Sequence, residues 1–194
     1  MFFLIDDTLV FIDGGFLSKL SKHFGGGIRL KMDYIKFARN LAKNQNLLLK
    51  YLFYYTAPPY QDAEPSKEQA KRKESYDKFV YAFKKNKEVI LREGRCQKII
   101  TRSNIAEFKQ KGVDSLLVSD MISVPIKFKT IKKIILITSD TDFCPIISQI
   151  EELGVNVILY TYYEKKRKSK FSVSHHLIDS CKNTFYLSKK DLML

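Results

Sequence analysis

Apolar positions along the chain alternate between two periods. Ile134 to Ile137 is an unbroken apolar run, closed by the polar turn Thr138-Ser139-Asp140-Thr141-Asp142. Phe143, Ile146, Ile147 and Ile150 then recur at helical spacing, with Glu151 and Glu152 off that face. Gly154 sits where a helix-ending glycine belongs, and Val155 to Tyr160 is apolar again. Strand, helix and strand within residues 131–160 predict a right-handed crossover unit of a parallel sheet. Its polar turn lies at the carboxyl end of a strand, where open α/β sheets place their ligands.

The first half carries the same signals. Thr8 to Ile12 predicts a strand running into Asp13-Gly14-Gly15-Phe16-Leu17. The glycines allow a sharp turn, and Asp13 either stands exposed at the strand end or caps the helix starting near Phe16. Residues 33–44 predict a helix with Tyr34, Phe37, Ala38 and Leu41 at core spacing. Leu48 to Thr56 predicts a second buried strand, in which Tyr54 and Tyr55 are expected to pack. After Ala57-Pro58-Pro59, a long helix is expected from about Pro65 to Lys85. Tyr76, Phe79, Val80 and Phe83 form its apolar face, and Lys67, Lys71, Arg72 and Lys73 a solvated one.

Val89–Leu91 and Gln97–Thr101, flanking Arg92-Glu93-Gly94-Arg95, predict a hairpin with a basic edge of Arg92, Arg95, Lys98 and Arg102. Polar residues 103–112 then lead into a helix with Val113, Leu116, Leu117, Asp120 and Met121 at helical spacing. Asp114 falls in its first turn, where the dipole favours a carboxylate. Asp120 lies six residues on and does not share that face. Residues 164–170 (EKKRKSK) predict a solvated basic loop that could grip a substrate. A short helix over Ser172 to Ser180 and a last strand over Asn183 to Leu187 complete the pattern. No repeat or linker divides it, so a single α/β domain over residues 1–194 is expected.

Charge changes this picture. Lys and Arg number 34 against 21 Asp and Glu, a formal +13 that favours a polyanionic partner. Cys96, Cys144 and Cys181 are far apart with no CxxC spacing, which speaks against a disulfide framework or structural zinc and for a reducing, cytoplasmic setting. The apolar start meets Asp6 and Asp7 with no basic region, and no apolar run approaches membrane-span length, so neither a signal peptide nor a membrane partner is expected. Gly25-Gly26-Gly27 lacks the spacing of a phosphate-binding loop, and the adjacent His175 and His176 point to different faces.

Within this basic chain, Asp13 and Asp140 end strands while Asp142 and Asp114 begin helices. If those strands are neighbours, four carboxylates converge on one cleft and would repel one another without a cation. Oxygen ligands without histidine suit Mg2+ or Mn2+ better than Zn2+. An ion so held activates water and stabilises the charge developing on a phosphodiester. Arg92, Arg95 and Lys111 are the basic side chains expected to contact the substrate.

The set FIDGGFL (11–17), KGVDSLLVSDM (111–121), ITSDTDFCPIISQIEELGVNVILY (137–160) and LIDSCKNTFYL (177–187) resembles a LabA-like NYN domain of the PIN-like nucleases. The resemblance implies a Rossmann-like three-layer α/β/α fold around a mainly parallel sheet. It also implies an Mg2+- or Mn2+-dependent ribonuclease site at Asp13, Asp114, Asp140 and Asp142, with Asp120 as a supporting acid and Ser139 beside the site. The family's first motif reads DGxN, and here Phe16 stands at the Asn position. Single-stranded RNA is thus the expected partner, with a homodimer compatible with the aromatic content. The competing readings are a non-catalytic RNA-binding module, DNA as substrate, and an aspartate-nucleophile phosphatase. The last would need an acid where Gly15 stands.

Overall fold

A computed structural model describes residues 5–101, 103–164, 169, 171 and 175–193. The chain opens with β1 (Asp6–Asp13), α1 (Gly14–Phe24), α2 (Tyr34–Asn44), β2 (Leu47–Thr56), α3 (Lys67–Lys84) and β3 (Val89–Glu93). A two-stranded excursion follows, β4 (Arg95–Ile100) and β5 (Ala106–Lys111), and then α4 (Val113–Ile122) and α5 (Val124–Lys127). The second half comprises β6 (Lys133–Ile137), a 3-10 turn (Thr141–Phe143), α6 (Cys144–Glu152), β7 (Asn156–Thr161), α7 (His175–Asp179), β8 (Asn183–Tyr186) and α8 (Lys189–Leu192). Among the described residues, no helix is long and apolar enough to cross a membrane.

Six strands form one sheet in the order β3-β2-β1-β6-β7-β8, and every neighbouring pair is parallel. Consecutive side chains of a strand face opposite sides, so a sheet covered on both faces needs unbroken apolar runs. In β1, Leu9 and Phe11 enter one core while Val10 and Ile12 enter the other. Ile134 and Leu136 of β6 divide from Ile135 and Ile137 in the same way. The first core takes Leu117 and Met121 of α4 and Ile146, Ile147 and Ile150 of α6. The second takes Phe16, Leu17 and Leu20 of α1 and Phe37, Ala38 and Leu41 of α2. The fold is therefore the expected three-layer α/β/α arrangement, each fully buried aliphatic side chain contributing about 1.5–3 kcal/mol.

Elements expected from periodicity appear within a few residues of their predicted bounds. Ser66 caps α3 in a capping box with Gln69. The basic residues of α3 are solvated and partly paired along the helix, Arg72 with Glu68 and Lys73 with Asp77. The predicted hairpin across Gly94 is not formed. Instead β3 is a parallel edge strand of the main sheet, and β4 pairs antiparallel with β5. Gly94 does not turn the chain: its N–H donates to the Thr56 carbonyl at 2.8 Å. A Cβ there would come within 2.5 Å of the Lys111 carbonyl oxygen, so Gly94 is wedged between two strand ends. The chain reverses between β4 and β5, where Asn104 takes φ 59°, a left-handed conformation that asparagine tolerates. Arg102, most of the basic segment 164–170 and residues 172–174 lie outside the described residues.

Candidate functional site

The sheet order places β1 beside β6, with Ile12 opposite Ile137. Chain connections run outward in both directions from that pair, so a crevice opens at its carboxyl end. Asp13 and Thr138 are the next residues on the two strands. The Thr138 hydroxyl, fully buried, donates to Asp13 Oδ2 at 3.3 Å. Asp13 Oδ1 accepts from the N–H groups of Gly15 and Phe16 at 2.9 and 3.1 Å. Asp13 is both the cap of α1 and a wall of the crevice, so the two roles left open by the sequence coexist. Burial pushes its carboxyl above the usual range, the two N–H donors oppose that, and Asp114 pushes it further up.

Beyond Thr138 the chain makes a polar turn. The Asp140 N–H donates to Thr138 Oγ1 at 3.2 Å, and Asp140 Oδ1 accepts from the Asp142 N–H at 3.0 Å. This Asx turn opens the 3-10 segment and brings Asp140 to the crevice wall. The third acid arrives from α4, which starts at Gly112 in a left-handed conformation without a side-chain cap. Asp114 has no hydrogen-bond partner among the described residues. Burial, Asp140 and Asp142, in that order, raise its carboxyl above the ordinary value.

Asp13, Asp114 and Asp140 thus line one cleft of about 450 Å³, together with Ser139, Thr141, Gly15 and Phe16. Lys19, Gln110 and Phe171 complete it. Asp142 is exposed at the rim, near enough to act on Asp114. Sequence reasoning missed Thr138, Lys19, Gln110, Thr141 and Phe171. Only Thr138, directly after the apolar run, carried a usable positional signal.

The expected four-ligand cluster is not assembled here. Among the described residues, no three His, Cys, Asp or Glu side chains stand close enough to hold one ion together. The physical reason lies in the caps: Asp13 Oδ1 and Asp140 Oδ1 are each turned toward backbone N–H groups. The donor chemistry nevertheless fits a hard cation. The oxygens belong to carboxylates, two of which, Asp13 and Asp114, are pushed up by burial and by acidic neighbours, and Mg2+ commonly keeps several waters while binding one or two carboxylates.

The cationic residues divide. Arg92 does not offer a free charge to the cleft: its Nε and Nη2 donate to Asp120 Oδ2 and Oδ1 at 2.7 and 2.8 Å. Tyr55 donates its hydroxyl to the same carboxylate at 3.1 Å. Arg95 and Lys111 are exposed and directly opposite in the β4–β5 register, with no acidic partner among the described residues. Asp120 therefore stands beside, not in, the cleft and ties β2, β3 and α4 together. Asp120→Asn keeps an acceptor but removes the charge, and should lower stability by about 1.5–3 kcal/mol. Melting curves check this, and the cleavage rate of the folded variant should stay at the wild-type value. A rate loss without a melting shift would place Asp120 in the chemistry instead.

Comparison with known proteins agrees with this geometry. A family model described as NYN domain matches residues 7–188. A crystal structure of a protein of unknown function, VPA0982 from Vibrio parahaemolyticus, superposes with a TM-score of 0.60 at 17% identity, covering 100% of both chains. That likeness bears on the fold alone. No curated protein matches the chain.

Proposed function

The chain belongs to the NYN-domain family, whose PIN-like fold is that of nucleases, and from that premise we propose that it is a divalent-metal-dependent endoribonuclease. The observation that carries the reading is the meeting of Asp13, Asp114 and Asp140 in one cleft at the point where strand order reverses. The pairing of SDTDF with KGVD favours the LabA-like branch, and the free cysteines favour a cytoplasmic setting.

One or two of Asp13, Asp114 and Asp140 would hold Mg2+ or Mn2+ directly, with the remaining acid and Asp142 acting through water. That ion supplies positive charge against the phosphodiester and lowers the pKa of water. The chain's own groups do the rest. The Gly15 and Phe16 N–H groups and Thr138 fix the Asp13 carboxylate in place. Ser139 and Lys19 face the same cleft, where a hydroxyl and an ammonium can hold phosphate oxygens. Arg95 and Lys111 offer unpaired cations to the flanking backbone. Arg92 is left out of that set, since Asp120 neutralises it. Attack of water on phosphorus forms one P–O bond and breaks another, leaving one new phosphate end and one hydroxyl end.

A second reading, a non-catalytic RNA-binding module, draws on Phe16. Its side chain is buried in the core where the family pattern has a polar Asn. Labelled single-stranded RNA incubated with Mn2+, Mg2+ or EDTA separates the two. Metal-dependent cutting by wild type, lost in Asp140→Asn, supports hydrolysis. Binding without cutting in any metal supports the module.

A further inference from the structure

The β4–β5 ribbon does little for the core. All six residues of β5 are exposed, Phe108 at 53%, and Ile100 at the end of β4 and Ile105 in the connection are 56% and 61% exposed. Two of its features oppose stability when the protein is alone. Arg95 and Lys111 stand directly opposite, and like charges so placed are destabilising. Phe108 forgoes burial, although its ring reaches Tyr60 at a centroid distance of 5.4 Å and 42° between planes.

The ribbon's register shows what these features have in common. Cross-strand partners share a face, so Cys96 and Gln110, then Lys98 and Phe108, lie on one side. Gln110 lines the acidic cleft and Phe108 follows two residues away on that same face, about 7 Å along the strand. Lys98 stands between Asp62, 3.0 Å from its Nζ, and the Tyr60 ring, whose centroid is 5.7 Å away. Two aromatic rings, tilted 42° to one another, therefore stand about 7 Å along the ribbon from the cleft, on the face opposite Arg95 and Lys111.

We propose that the Phe108–Tyr60 pair is a stacking platform for an unpaired nucleobase adjoining the phosphate in the cleft, and that it makes the protein select single strands. The inference rests on the nucleic-acid reading above and deepens it. The platform contacts only a π-face, so it tolerates any base. Unpaired bases can splay onto an aromatic ring, whereas a duplex keeps its bases stacked inside and presents phosphates alone. The formal charge of +13 fits an anionic strand as that ligand.

The test is fluorescence anisotropy in EDTA, so that nothing is cut, with a short labelled oligouridine and a labelled RNA duplex of equal length. Wild type, Phe108→Ala and Phe108→Tyr are compared, their folding confirmed by melting. Phe108→Ala should weaken single-strand binding by about tenfold or more while duplex binding is unchanged, and Phe108→Tyr should bind as wild type. Equal single-strand affinity of Phe108→Ala and wild type overturns the platform. So does equal weakening of single strand and duplex, or absence of single-strand binding by wild type. Binding through Phe108 in a protein that never cuts refutes the nuclease reading alone. Metal-dependent cutting with undisturbed Phe108→Ala binding refutes the platform alone.

Discussion

Asp13→Asn lowers metal-dependent cleavage by about two to three orders of magnitude and, at neutral pH, makes the protein more stable. Both effects come from one buried carboxyl. The amide oxygen can still accept from the Gly15 and Phe16 N–H groups, so the α1 cap persists. What disappears is the charge needed to hold a cation. For stability the sign follows from the direction of the shift. Asp13 is raised, chiefly by burial, so its folded value lies above the unfolded one. The stability it contributes is complete below the unfolded pKa of about 3.9 and is lost as pH rises through the folded value. At neutral pH the wild type therefore carries a buried charge that the amide lacks. Melting temperatures measured from acid to neutral pH should diverge upward for the variant. Mn2+ should raise the wild-type melting temperature and leave that of Asp13→Asn nearly unchanged. A variant no more stable than wild type at neutral pH would show that this charge is compensated within the fold.

Gly14→Ala should destabilise the protein by about 1–3 kcal/mol and reduce cleavage as well. Alanine is normally better than glycine in a helix by about 1 kcal/mol, so the expected sign is opposite to propensity. The cause is a close approach. A Cβ at Gly14 would lie 2.4 Å from the Tyr55 carbonyl oxygen and 2.8 Å from Tyr54 Cε1. Tyr55 belongs to β2, paired with β1 on one side and β3 on the other, so its backbone cannot yield. The start of α1 must lift instead, carrying Asp13 away from Thr138. At Gly15 the nearest atom to an added Cβ is Asp13 Oδ1 at 3.1 Å, and next comes Gln110 Oε1 at 3.6 Å. Side-chain neighbours can adjust, so Gly15→Ala should melt closer to wild type. Equal melting temperatures for the two alanine variants would refute the close-packing argument.

The central crossover unit and the two strand-end acids were legible because a sheet buried on both faces writes long apolar runs, and Asp13 and Asp140 interrupt them. The β4–β5 ribbon was not legible. Its β5 sequence, AEFKQK, is exposed throughout and shows no alternation, so a local Gly-centred hairpin at Gly94 seemed the better pattern. The pairing of Arg92 with Asp120 spans 28 residues and is decided by how α4 crosses β3, which no local pattern encodes. Gln110 entered the cleft for the same reason. Asp114 could be placed in a first helical turn from spacing, but its approach to Asp140 depends on which strands are neighbours, which spacing does not state. The four carboxylates expected around one ion are not brought together as ligands among the described residues, because capping by Asp13 and Asp140 takes an oxygen of each.

The contact between Thr138 and Asp13 joins residues 125 apart. At ribosomal speeds of 5–20 residues per second, roughly 6 to 25 seconds separate the emergence of its two halves. Until β6 emerges, β1 has one open edge, and Asp13 faces neither Thr138 nor Asp140. A nascent or prematurely ended chain thus holds not half of the acidic cleft but none of it. In this topology the acidic crevice forms only once residues 134–140 have been laid against the open edge of β1.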